Sequence, residues 1–277
     1  MMIKLCPASI RRGFSFSRTM NPTHPSTPPA AHPAAEPPSP RAPHPDADRR
    51  ERHRLKRLAL WRYILAFPRS VWLNFSLLPF SQARRLPLLV SHRTKLLNLS
   101  GRIELHPSAL RVGLVKIGFN TCQQTDFRHH RTLLNLRGTL HIYGECAIGA
   151  GSSIDVSPSG SLSLGHHFNL GPSSLIVCNH SIVFGPHVQT SWCCTLMDTD
   201  QHPLFDSQGR HCNPDRPIQV ADHVWLGCHV VLLKGTTLPP HTTVGAMSCV
   251  HGTFLEPHTV IAGNPAAVVR HGVTRQW

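Results

Sequence analysis

Between Val220 and Val250 every sixth residue is aliphatic: Val220, Leu226, Leu232, Leu238, Val244 and Val250. A period of six is neither the 3.6 of a helix nor the 2 of a half-buried strand. It is the beat of a parallel β-helix, in which each short unit contributes one strand and one corner. No unit can bury its own aliphatic side chain. Stacked coils can, because they align those side chains in columns inside the tube.

The same beat is audible upstream. From about Ser100 the chain turns strand-like, with Ile103, Leu105, Val112-Gly113 and Ile117-Gly118. Ile148-Gly149 and Ile154 follow, then Leu164-Gly165, Leu170-Gly171, Ile176 and Ile182. After Phe184-Gly185 the register shifts onto Thr190 and Leu196. The beat stops at Met197 and resumes at Ile218 and Val220, across the polar stretch DTDQHPLFDSQGRHCNPDRP. A long polar loop inside a regular solenoid is usually functional. The expected organisation is a Pro-rich tail over 1–47, a basic amphipathic segment over 48–99 and a β-helix over 100–270. A loop over 197–217 interrupts the β-helix, and a short tail over 271–277 ends the chain. The tail over 1–47, dense in Pro, Ala and His from 21 onward, has little apolar surface to bury and is expected to be disordered.

The formal charge of +14 resembles a nucleic-acid signal, but its distribution argues otherwise. Residues 1–70 hold 13 Lys/Arg against 4 Asp/Glu, whereas Gly138 to Gly209 contains no Lys or Arg. A nucleic-acid groove needs cations along its track. The nine cysteines include no C-x-x-C, which fits a reduced, cytoplasmic setting. No apolar run reaches the roughly 18 residues of a membrane span. Residues 1–20 are basic without the apolar core of a signal peptide, and Met20 offers an alternative start. In the segment 48–99, Leu55, Leu58, Leu60, Trp61, Tyr63, Ile64 and Leu65 are interleaved with basic residues, and Pro68 should end that helix. Two readings stay open for it: peripheral contact with an anionic membrane face, or packing against the end of the β-helix.

Four motifs then occur in order: Asp198-Thr-Asp-Gln-His202, Asp222-His-Val-Trp-Leu-Gly227, Leu233-Lys-Gly235 and Gly263-Asn-Pro265. Their order and spacing resemble the hexapeptide-repeat acetyltransferases, in the branch containing galactoside, maltose and surface-polysaccharide O-acetyltransferases. The resemblance covers roughly residues 100–270. It implies an all-β, left-handed parallel β-helix, against the usual right-handed crossover rule. It implies a homotrimer with acetyl-CoA in the groove between neighbouring subunits, and a catalytic histidine on an inserted loop. That histidine falls on His202. The groove tryptophan falls on Trp225, followed by Gly227. Cys228 and Ala246 fall where the family's backbone meets the pantetheine arm, and Arg270 near the CoA phosphates; Ser248 is a further cofactor-side candidate, and His251 and Lys234 are alternative nucleotide contacts. This chain departs from the family at His251-Gly252, where Thr-Lys is common, and at Ala267, where a second Arg is common.

The chemistry needs a base, because a sugar hydroxyl is a poor nucleophile. Histidine, with an ordinary pKa of about 6.5, is neutral at the working pH. His202 is expected to take the acceptor proton and return it to the departing CoA sulfur. Asp198 and Asp200 are the nearby carboxylates able to orient such an imidazole. Trp192 and His211 are candidate acceptor-side residues. His180, His187, His223 and His229 read as surface or stacked-coil residues. No metal is expected, although a γ-carbonic-anhydrase-like zinc centre of three histidines on adjacent coils is an alternative, as is a non-catalytic scaffold. Cys193 or Cys194 would serve as nucleophile only as a thiolate near a base.

Overall fold

The computed structural model describes residues 45–122 and 130–276, with side chains described from residue 60. Of the two units of the chain, Met1–Ala47 and Asp48–Trp277, the second carries the β-helix. Most of the expected Pro-rich tail over 1–47 lies outside the described residues.

Among the described residues the strands form three sheets of nine, seven and six. Nearly every pairing is parallel and joins a strand to the third one after it, so each turn of chain visits all three sides of a tube. The seven-stranded side shows how the beat becomes a core. Leu134, Ile154, Ile176, Leu196, Leu232 and Val250 are successive register partners up one column, and each is at most 2% exposed. All six aliphatic residues of the Val220–Val250 beat are buried. Their neighbours in sequence alternate outward, as strand geometry requires.

The tube starts earlier than its sequence suggests. Strands Leu88–Val90 and Lys95–Asn98 already pair with Val115–Asn120 and Leu133–Leu136. Leu88 and Val90 are fully buried. Two residues facing inward are too few to display a period, and the basic residues around them hide the signal.

The segment before them is one helix, Pro45–Leu77, which runs through Pro68 instead of ending there. An internal proline removes one hydrogen bond and costs about 3 kcal/mol, so docking must offset it. Ala66, Ser70, Leu73 and Asn74 are all buried. The Asn74 side chain donates to Leu88 O at 2.7 Å and accepts from Leu88 N at 3.1 Å. Ser70 Oγ accepts from Val90 N at 2.9 Å. The helix thus satisfies the first strand's outer edge, which would otherwise be an open pairing template. Its other side exposes Trp61, Ile64, Leu65, Phe67, Trp72 and Phe75. No helix among the described residues is long and apolar enough to cross a membrane.

One corner of the tube is lined with histidine. His167, His187, His223, His241 and His258 all have φ near +57°, a conformation histidine tolerates better than most residues. The rings from His187 to His258 stack at 4.6–4.8 Å, nearly parallel. Histidines on adjacent coils therefore lie face to face, and their nitrogens do not converge on a common point as a three-histidine zinc centre demands.

Candidate active site

The inserted loop leaves the tube at the corner between strands Thr195–Met197 and Ile218–Val220, and the parallel register resumes undisturbed at Ile182↔Ile218. Local geometry explains how it holds its shape. Asp206 accepts from the amides of Gln208 and Arg210 and from Arg210 Nε, closing a tight hairpin. An isolated bridge pairs Phe205 with His211. Gln201 adopts φ +64°, and its amide is held by Thr199 Oγ1 at 3.0 Å. That left-handed turn immediately precedes His202.

His202 is exposed. Its backbone oxygen accepts from Asn213 Nδ2 at 2.9 Å, while its ring makes no hydrogen bond to any described residue. It borders a cavity of about 210 Å³ with Asn179, Thr199, Asp200, His211 and Asn213. His211 reaches this cavity, and Trp192 does not. Trp192 is half-buried at a different corner, where its carbonyl accepts from His229 N.

Neither candidate carboxylate orients the His202 ring. Asp198 is fully buried, and its two oxygens accept from the amides of Asn179 at 2.7 Å and His180 at 2.8 Å. It caps the same corner one coil below. Asp200 accepts from Lys234 Nζ at 2.5 Å and Asn213 Nδ2 at 2.8 Å. Lys234 also donates to Asn213 O at 2.8 Å. Asn213 therefore ties Asp200, Lys234, His211 and the His202 backbone into one network. It escaped the sequence reading because nothing in its local pattern marks it.

The cofactor-side candidates occupy a different part of the protomer. Trp225 lies on the nine-stranded side, half-buried, with Nε1 donating to Ser191 Oγ at 3.2 Å. The guanidinium of Arg275 sits 4.8 Å from the centre of its ring, a favourable cation–π distance. Cys228 is half-buried and Ala246 exposed at the next corner. Arg270 is exposed at the end of strand Ala266–Arg270, so Arg275 is the basic residue that meets Trp225.

No protein-family model matches the chain. It is 31% identical over 98 residues to a presumed acetyltransferase of Schizosaccharomyces pombe, covering 35% of this chain and 44% of that one. It is 30% identical over 108 residues to the galactoside O-acetyltransferase of Escherichia coli, covering 39% and 52%. The chain thus spans about half the length of these curated relatives. The polySia-specific acetyltransferase NeuO superposes with a TM-score of 0.54 at 16% identity, over 69% of this chain and 82% of that one. At that identity the likeness concerns the fold alone. Over the part matched to the curated relatives the chain is similar to acetyltransferases of the hexapeptide-repeat kind. Its three-sided tube is a left-handed parallel β-helix, the fold it shares with NeuO.

Three of the cofactor-side candidates make structural contacts in this chain. Ser248 is 1% exposed; its hydroxyl donates to Gly245 O at 2.7 Å and accepts from Gly263 N at 3.2 Å. Its side chain faces the tube interior. Gly227 is buried, and a Cβ there would come within 2.7 Å of Ala246 N and 2.9 Å of Val244 O. Only glycine permits that close approach of two coils. Lys234 is held by the histidine loop through Asp200.

The Lys234 contact has a pH signature. The Lys234 and Asn213 hydrogen bonds hold the Asp200 carboxyl below its usual range. Its stabilising effect is present above the unfolded carboxylate value of about 3.9 and fades only as pH falls through the lowered folded value. The loop anchor is therefore intact at neutral pH. Lys234→Ala should return the Asp200 carboxyl toward its ordinary value and lower kcat, with the KM for acetyl-CoA little changed. A KM effect alone would return Lys234 to the nucleotide.

The cysteine route is chemically disfavoured. Burial pushes the Cys194 thiol up to about 11 and also raises Cys193. Thiolates, the nucleophilic form, are scarce at both positions near neutrality.

Proposed function

We propose that this chain transfers an acetyl group from acetyl-CoA to a hydroxyl of a sugar or cell-envelope glycan, directly, with His202 as general base. The observation that carries this reading is the inserted loop. It is built rigidly from its own hydrogen bonds, yet the His202 imidazole takes no part in them. A ring so held is available to an acceptor hydroxyl. Neutral imidazole takes its proton as the oxygen attacks the thioester carbonyl, and the imidazolium then protonates the leaving thiolate of CoA. Such help contributes typically ~10²–10⁴-fold.

The donor side is Trp225, whose flat face suits a pantetheine arm and whose indole is fixed by Ser191. His202 lies at the corner between the seven- and six-stranded sides, and Trp225 on the nine-stranded side. The reading includes a homotrimer, in which a neighbouring copy brings one protomer's loop to another's Trp225. The galactoside acceptor in the name of the Escherichia coli relative supports a sugar hydroxyl. The absence of Lys and Arg from Gly138 to Gly209 suits a neutral acceptor.

The test is incubation of the full chain with labelled acetyl-CoA and a panel of neutral glycans. Label should appear as an ester on at least one of them. CoA release with no acceptor labelled across the panel would overturn the glycan assignment. Trp225→Ala should raise the KM for acetyl-CoA several-fold with little change in melting temperature. A loss of stability without a KM effect would make Trp225 a packing residue only.

A further inference from the structure

We infer that Glu104, His106 and His141 form a divalent-cation site, best suited to Zn²⁺, that staples the first coils of the β-helix. This goes beyond the transfer reaction and involves none of its residues. It also revises the expectation that the chain carries no metal.

The placement follows from the fold. Glu104 and His141 are register partners on adjacent parallel strands, Arg102–Leu105 and Thr139–Ile142. Their flanking partners Ile103, Leu105, Leu140 and Ile142 are buried, so alternation sends Glu104 and His141 outward on the same face. His106 lies two residues after Glu104 and thus points the same way. Its amide donates to Ile142 O at 2.8 Å, which fixes the backbone there. Tyr143 stacks on the His106 ring at 4.8 Å and 19°, restricting its rotation.

The distances have the size a small cation requires. Glu104 Oε2 lies 3.3 Å from His141 Nδ1 and 3.8 Å from His106 Nε2. The two ring nitrogens are 3.4 Å apart. Zinc binds nitrogen and carboxylate oxygen at about 2.0–2.2 Å in tetrahedral geometry, which sets ligand–ligand edges of about 3.3–3.5 Å. Two of the three edges fall in that range and the third, 3.8 Å, is slightly longer, so the three atoms approximate one face of a tetrahedron with the fourth corner open to water. A proton on His141 Nδ1 can serve Glu104 or His106, according to tautomer. A dication satisfies all three lone pairs at once. Two imidazoles and one carboxylate favour zinc over magnesium or calcium, which prefer all-oxygen sets. The groups are 23–41% exposed, so the site is open to metal from solution. Binding there to the folded chain alone stabilises it by mass action.

The experiment uses the full chain, stripped with a chelator, dialysed and titrated with Co²⁺ as a spectroscopic stand-in, then with Zn²⁺ in competition. One equivalent per chain should bind with the intense visible absorption of tetrahedral cobalt, and Zn²⁺ should bleach it and raise the melting temperature. Glu104→Gln should weaken that equivalent by at least the ~10–100-fold that loss of even an outer-shell partner costs. His141→Ala should abolish it. Circular dichroism of both variants confirms folding, since both changes are on the surface. No uptake, or uptake undiminished in Glu104→Gln, overturns the site. The latter result would place the bound metal elsewhere. Neither result bears on acetyl transfer through His202.

Discussion

His202→Ala should lower acetyl transfer by about two orders of magnitude or more, while thermal and chemical unfolding stay within about 0.5 kcal/mol of the parent. The two halves of this expectation come from different atoms of one residue. The backbone carbonyl of His202 is part of the Asn213 network that shapes the loop, and alanine keeps it. The imidazole is exposed and holds nothing in the fold. Steady-state kinetics should show the deficit mainly in kcat, because the base acts in the transition state and contributes little to donor binding. Near-normal turnover in a folded His202→Ala protein would remove this residue from the mechanism.

Asp198→Ala should act in the opposite sense, through stability. The residue sits only four positions before His202, and proximity in sequence makes it look like the histidine's partner. In the structure its carboxylate is fully buried and accepts from two backbone amides of the coil below. Removing it takes a charged acceptor from two part-buried N–H groups, each such bond contributing about 1.5–3 kcal/mol. A loss of about 3 kcal/mol or more is expected in urea unfolding. Asp198→Asn should recover part at most, because its NH₂ would face one of the two amides. Activity should follow the folded fraction. If Asp198→Ala instead unfolded normally and lost its turnover, the carboxylate would be acting on the imidazole after all.

These two aspartate and histidine positions illustrate where sequence reading succeeds and where it stops. The column Leu134 to Val250 was legible because burial on a coil is a periodic property of neighbouring residues. The loop was legible as the place where that period fails. Pro68 misled, because the cost of an interior proline is local while the docking of Ser70 and Asn74 that offsets it reaches across to Leu88 and Val90. At Ser248 and Gly227 the structure adds what the motif could not show: their atoms also hold coils together.

From the order of its amino acids alone came the three-sided tube, its likeness to the hexapeptide-repeat acetyltransferases and the loop that carries His202. Which groups meet around that loop was decided only by coil stacking. One turn of the tube brings Asn179 to Asp198 and His180 to the same carboxylate, across 19 and 18 residues of chain. Asp200 meets Lys234 across 34, and Glu104 reaches His141 on the neighbouring strand. A hexad repeat specifies which side of the wall each residue faces. Hydrogen-bond partners depend on which coil lies above or below, and that distance is set by insertions and turns that carry no period.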